Sequence, residues 1–123
     1  MSPIKASSRA LIAIAGLAGA AGVALAAAAS HAGGEALLRP ASMICLVHAP
    51  AILALAALQD RLRLATVSAW LLVVGTLLFA GDLVSRHFVG SGLFAMAAPT
   101  GGMTLIAGWL VGTIGALLPQ KSA

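Results

Sequence analysis

The chain has 123 residues, 61% hydrophobic and 8% charged, with a net charge of +4 and a pI of about 10.8. Soluble domains carry about 25% charged residues, so this composition excludes a domain that covers its apolar residues with a polar surface of its own. The seven basic residues stand singly without aromatic interleaving, which argues against a nucleic-acid partner, and the lone cysteine, Cys45, excludes an internal disulfide or a cysteine-rich metal site.

Four apolar stretches organise what remains: Ala10–Ala29, Ala41–Leu58, Ala65–Val84 and Gly101–Leu118. Each is close to the ~17–25 residues that a helix needs to cross a bilayer core. They predict an all-α membrane protein, a four-transmembrane-helix bundle forming one domain over residues 1–123, with the lipid bilayer as its surroundings. Four spans place the N-terminus, the middle loop and the C-terminus on one side. That side holds Lys5, Arg9, Arg61, Arg63 and Lys121, against Arg39 and Arg86 on the other. The excess of basic residues predicts cytoplasmic N- and C-termini.

The first span follows a basic segment, Met1–Arg9, and ends in the small residues Ala28-Ala29-Ser30-His31-Ala32. A secretory signal has the same plan, but its apolar core is only ~7–15 residues. The longer run here predicts a retained helix, and a mature N-terminus at or near His31 would contradict that. Gly16, Gly19 and Gly22, with Ala20 and Ala24, leave little side chain on this helix. Such a surface lets another backbone approach closely, which predicts a place in the bundle centre or at an oligomer contact. Gly33-Gly34 breaks the helix. Glu35 and Arg39 are spaced as a helix-surface pair, and Pro40 suits the start of the second span.

Ionisable groups inside a span are costly and are candidate functional residues. His48 falls about 12 Å below the start of the second span at 1.5 Å per residue. Pro50 follows it and removes the bond that its N–H would have given to the Leu46 carbonyl. A free carbonyl beside an imidazole makes a small polar pocket, or the imidazole simply ties two helices together. Cys45 lies three residues earlier, and thiolate and imidazole both ligate metals. Two ligands do not make a metal site, and a buried free cysteine behaves as a small hydrophobe, so neither a metal nor a cofactor is expected.

Gln59-Asp60-Arg61-Leu62-Arg63 reads as a tight polar turn that makes the second and third spans antiparallel neighbours. Asp82 closes the third span with Arg86 four residues on, an i,i+4 pair. The N–H groups that open the fourth span offer the same carboxylate further donors. Asp82 is therefore either a tie between the third and fourth spans or a proton- or cation-responsive group in a polar pocket with His31, His48 and Thr100. Ser85–Ala98 is an apolar connection that lies in the interface or folds back on the bundle. Pro99-Thr100-Gly101-Gly102 opens the fourth span with Thr100 as its N-cap. Gly108 and Gly112, followed by Ala116, give this span a narrow packing face, and Pro119 ends it.

Several of these elements together resemble a known family. They are His31 after a Gly/Ala-rich span, His48 in the second span, Phe79-Ala80-Gly81-Asp82, and Ala98-Pro99-Thr100-Gly101-Gly102 followed by Gly108-Trp109-Leu110. In order and spacing the chain resembles the domain of unknown function 423 family, small inner-membrane proteins of the YgdD/YwdK type with relatives called transmembrane protein 256. The resemblance implies an uncleaved first span, four helices and a bacterial inner membrane, and it brings no function. The chain departs from the family at Val47, where an aromatic residue is common, and at Asp82, where a small polar residue is usual. A carboxylate mechanism shared by the family does not follow from it.

Three functional readings remain. The first is a non-enzymatic structural or accessory protein that packs against itself or a larger membrane complex. The second is a small transporter or channel with a polar pocket around His48 and Asp82. An enzyme ranks last, because the sequence offers no nucleophile–base pair, carboxylate dyad or three-ligand metal set.

Overall fold

A computed structural model describes residues 3–31 and 33–120. Ala32, at the end of the small-residue segment, Lys121 among the basic residues, and Met1 in the basic leader segment lie outside the described residues. Four helices follow one another: α1 (Ala6–His31), α2 (Glu35–Ala57), α3 (Ala65–Phe88) and α4 (Ala97–Leu117). Each is long and apolar enough to cross a membrane, and the described residues form no strand.

The helices outrun the apolar stretches where nothing stops them. Gly33 and Gly34, with φ of 80° and 78°, end α1 and set the start of α2 at Glu35. A carboxylate there favours the positive end of the helix dipole, and Arg39 binds it at 3.1 Å. Pro40 therefore falls inside α2 rather than at its start, leaving the Ala36 carbonyl without its usual helical donor. At the other loop, α4 begins three residues before Thr100. Met96, with φ 67°, occupies the N-cap position, and no side chain caps the helix there. This corrects the expectation for Thr100, which is exposed in the first turn with its N–H on the Met96 carbonyl at 2.9 Å. Pro99 is tolerated in that turn because the first four helical N–H groups have no helical partner in any case. Leu118, extended ahead of Pro119, ends α4 as expected.

Helices adjacent in sequence pack side by side, and α1 also grazes α3, whereas α2 and α4 do not meet through their backbones. The core joins Leu11 and Ala15 of α1, Ile52 and Ala56 of α2, Ala69, Leu72 and Val73 of α3, and Leu105 of α4. Apolar side chains such as Leu17, Val23, Leu77, Met103, Ile106 and Leu117 cover the outside. The N-terminal end of α1 and the C-terminal end of α4 both meet the α2–α3 turn. Lys5 pairs with Asp60, and the Arg63 Nε donates to the Pro119 carbonyl at 2.5 Å.

Glycine sets the α3–α4 distance. A Cβ on Gly101 would lie 2.5 Å from the Phe79 backbone nitrogen and 2.9 Å from the Gly75 carbonyl oxygen. Gly108 and Gly112 continue this face against Leu72 and Ser68 of α3, so the narrow face of α4 is used within the chain. On α1 the outcome is mixed. Gly22 packs against Leu46 and Cys45 of α2, Gly19 lies near Ala49, and Gly16 has nothing within 4 Å. Thus α1 lies at the edge of the bundle rather than its centre, and Gly16 is not part of its packing face. One helix of small residues carries too little side chain to show from sequence which side faces the bundle.

Gly101→Ala forces two backbones apart and is expected to cost about 1–3 kcal/mol, the usual range for overpacking. Gly16→Ala is expected to leave stability unchanged or raise it by up to ~1 kcal/mol through helix preference. Unfolding in mixed micelles checks the pair, and equal losses at both sites would contradict this packing.

Candidate functional site

The buried polar side chains fall into three groups. At the loop end of the bundle Asp82 is fully buried, although it lies only about 9 Å from the end of α3. What buries it is its own loop. Arg86 Nε donates to its Oδ2 at 2.9 Å, and the backbone N–H of Leu93 donates to its Oδ1 at 2.9 Å. Gly92 passes so close that any side chain there would strike Oδ1. The Asp82–Arg86 pair was legible from spacing, and the loop amide was not. Beside this knot the His87 ring lies against Gly34, where a Cβ would collide with it. His87, which sequence reading passed over, therefore joins the α1–α2 loop to the end of α3.

The second group lies near the middle of the bundle. Because α2 starts at Glu35, His48 sits about 20 Å along it, past the midpoint and deeper than expected. Trp109 Nε1 of α4 meets His48 Nε2 at 3.1 Å, and His48 Nδ1 meets the Ile44 carbonyl at 2.9 Å. Indole N–H is a donor only, so Nε2 accepts and Nδ1 carries the proton. Both ring nitrogens are thereby used, and a proton added at Nε2 would turn the acceptor against the indole N–H. The rings meet edge to face with centroids 5.8 Å apart. This bond is the polar bridge across the gap between α2 and α4.

The third group was not anticipated. Gln59, read as part of a polar turn, is buried. Its Nε2 donates to the Ser7 hydroxyl at 3.0 Å and to the Thr66 hydroxyl at 2.9 Å, while the Ser8 hydroxyl donates to its Oε1. One amide thus joins the starts of α1 and α3 to the α2–α3 turn. Two serines make comparable ties to backbone: Ser42 to the Gly22 carbonyl and Ser68 to the Gly108 carbonyl, each at 2.7 Å. Among the described residues, Thr76 Oγ1 is the buried side-chain polar atom with no partner.

The four residues expected to share a pocket do not share one. His31 is exposed at the end of α1, Thr100 is exposed on α4, and His48 and Asp82 differ in depth by roughly 10 Å. Thr100 lines a shallow groove with Leu71, Met96 and Met103 instead. Cys45 is buried against α1 and Ala80 of α3, whereas His48 turns toward α4, so the two do not converge on one ion. Among the described residues no three His, Cys, Asp or Glu side chains come together.

A profile of the family described as protein of unknown function (DUF423) matches residues 18–102. The chain belongs to the DUF423 family. The match includes His31, Cys45, His48, Asp82 and Thr100, and it ends before Trp109. Comparison with curated proteins and with solved structures gave no match. For this DUF423 protein, function must therefore be argued from its own geometry.

The His48–Trp109 bond is expected to show a coupling of about 0.6 kcal/mol, typical of interhelical hydrogen bonds in membrane proteins. A double-mutant cycle of His48→Leu and Trp109→Phe, read by unfolding in micelles, measures it. Additive effects would mean that the two rings merely lie side by side.

Proposed function

We propose that this chain is a non-enzymatic structural or accessory protein of the bacterial inner membrane, multi-pass, with the end of the bundle that carries both chain termini in the cytoplasm. The observation that carries this reading is the use of the buried polar groups. Asp82, His48, Gln59, Ser42 and Ser68 each fasten one helix or loop to another. A group that works on a substrate needs free donors or acceptors aimed into a cavity, and these have theirs occupied. The partner class that fits an accessory protein is a second copy or a larger membrane complex, reached through the apolar outer faces. A transporter or channel has weaker support, because His48 and Asp82 have separate hydrogen-bond partners and lie at different depths.

Orientation rests on charge. Lys5, Arg9, Arg61 and Arg63 gather at one end. At the other end stand Arg39 and Arg86. The larger number of Lys and Arg residues favours the cytoplasmic side. Single cysteines placed at Gly90 and at Asp60 in a Cys45→Ser chain check this with an impermeant maleimide on intact cells: Gly90 is expected to label and Asp60 to be protected.

Asp82→Asn separates the two functional readings. A tie predicts a lower melting temperature in micelles and faster proteolysis in the 89–96 loop, with no change in proton or cation flux in liposomes. Unchanged stability with altered flux would favour transport and refute the structural role.

A further inference from the structure

The side of the bundle between α2 and α4 is open, since their backbones do not approach each other. A cleft of 410 Å³ fills this gap, with Ala54 and Leu55 of α2 and Trp109 and Gly112 of α4 as walls and Ser68 of α3 as floor. One turn further toward the α2–α3 turn lies a second cleft of 380 Å³, between Leu58 and Ala116, reaching Arg61 and Gln120. Leu62 lines both, so the two clefts adjoin.

Their length and their two ends identify what fits. From Trp109 to the end of α4 at Leu117 the clefts follow about 12 Å of helix, within the ~15 Å that one leaflet contributes to a ~30 Å hydrocarbon core. The deep end stops at the His48–Trp109 bond near mid-bundle. The lining toward mid-bundle is mostly apolar, with Ala51, Ala54, Leu55 and Leu62 beside Trp109, which suits an acyl chain. At the mouth, Arg61 is exposed and its guanidinium has no partner among the described residues. The other arginines near loop ends differ: Arg39, Arg63 and Arg86 all hold an oxygen. A guanidinium matches a phosphate in both charge and geometry, and basic pockets between spans on the cytoplasmic side suit anionic headgroups.

We propose that the α2/α4 groove is a binding site for one anionic phospholipid of the cytoplasmic leaflet, with an acyl chain between Ala54 and Gly112 and its phosphate on Arg61. This rests on the membrane placement and orientation proposed above and is independent of the accessory role. The bound lipid closes the side of the bundle that the helices leave open. It also seats the His48–Trp109 bond in hydrocarbon rather than at a gap.

Trp109 serves as the reporter once Trp70→Phe makes it the sole tryptophan. In phosphatidylcholine proteoliposomes, equal small fractions of chain-brominated phosphatidylglycerol and chain-brominated phosphatidylcholine are compared as quenchers. One cationic contact implies a preference of about five-fold for the glycerol lipid. Arg61→Gln is expected to abolish that preference, and Ala54→Leu, which fills the groove, is expected to remove the quenching due to bound lipid. Excess inorganic phosphate is expected to change nothing. Equal quenching by the two lipids, a preference that survives Arg61→Gln, or displacement by free phosphate overturns the proposal. Absence of quenching by either lipid overturns it together with the membrane placement, which distinguishes the two failures.

Discussion

A polar group buried in a bundle that is apolar on its outside has no water to turn to, so it must find its partner within the protein. That constraint decides how these four helices are held. Hydrophobic contact between spans gives little net drive when the surroundings are equally apolar. Close backbone packing at Gly75 and Gly101 and a few side-chain hydrogen bonds supply the specificity instead. The bonds are spread along the bundle. Gln59 gathers one end, His48 and Trp109 bridge the middle, and Asp82 closes the other end by holding the α3–α4 loop.

The existence of four helices was legible because a run of apolar residues has few alternatives in a short chain. Their ends were less so. Composition marks where apolar residues stop, but a helix stops where the backbone is forced out. Glu35 and Arg39 continue α2 because they pair on its surface, while Gly33 and Gly34 end α1 through their positive φ. Pro99 looked like the start of α4 and proved to be inside its first turn, which left Thr100 without a capping role.

The same limit applies to the polar groups. Asp82 and Arg86 meet because i and i+4 are neighbours on any helix, so spacing alone finds them. The Leu93 amide and the Trp109 indole come from distant positions, and their approach depends on a loop path and on helix rotation. Gln59 was hidden differently, since a glutamine in a turn usually faces water. For Trp109 one signal existed: an indole N–H needs an acceptor when it lies in a span, and His48 is the imidazole placed within the second span. For Gly16 against Gly22 no signal existed, because α1 is small on every side.

The resulting molecule is tied at both ends and bridged by His48 and Trp109 near the middle, with one side open between α2 and α4. Its buried polar groups hold the bundle, and Arg61 stands at the mouth of the open side. The claim that these groups are ties is tested most directly by amide exchange at Leu93 in lipid nanodiscs. This N–H lies in a loop, outside any helix, and its bond to Asp82 Oδ1 is what protects it. If the tie holds, Leu93 exchanges as slowly as the helical amides of α3. Exchange as fast as at Phe94 in the same loop would contradict the tie and the structural role built on it.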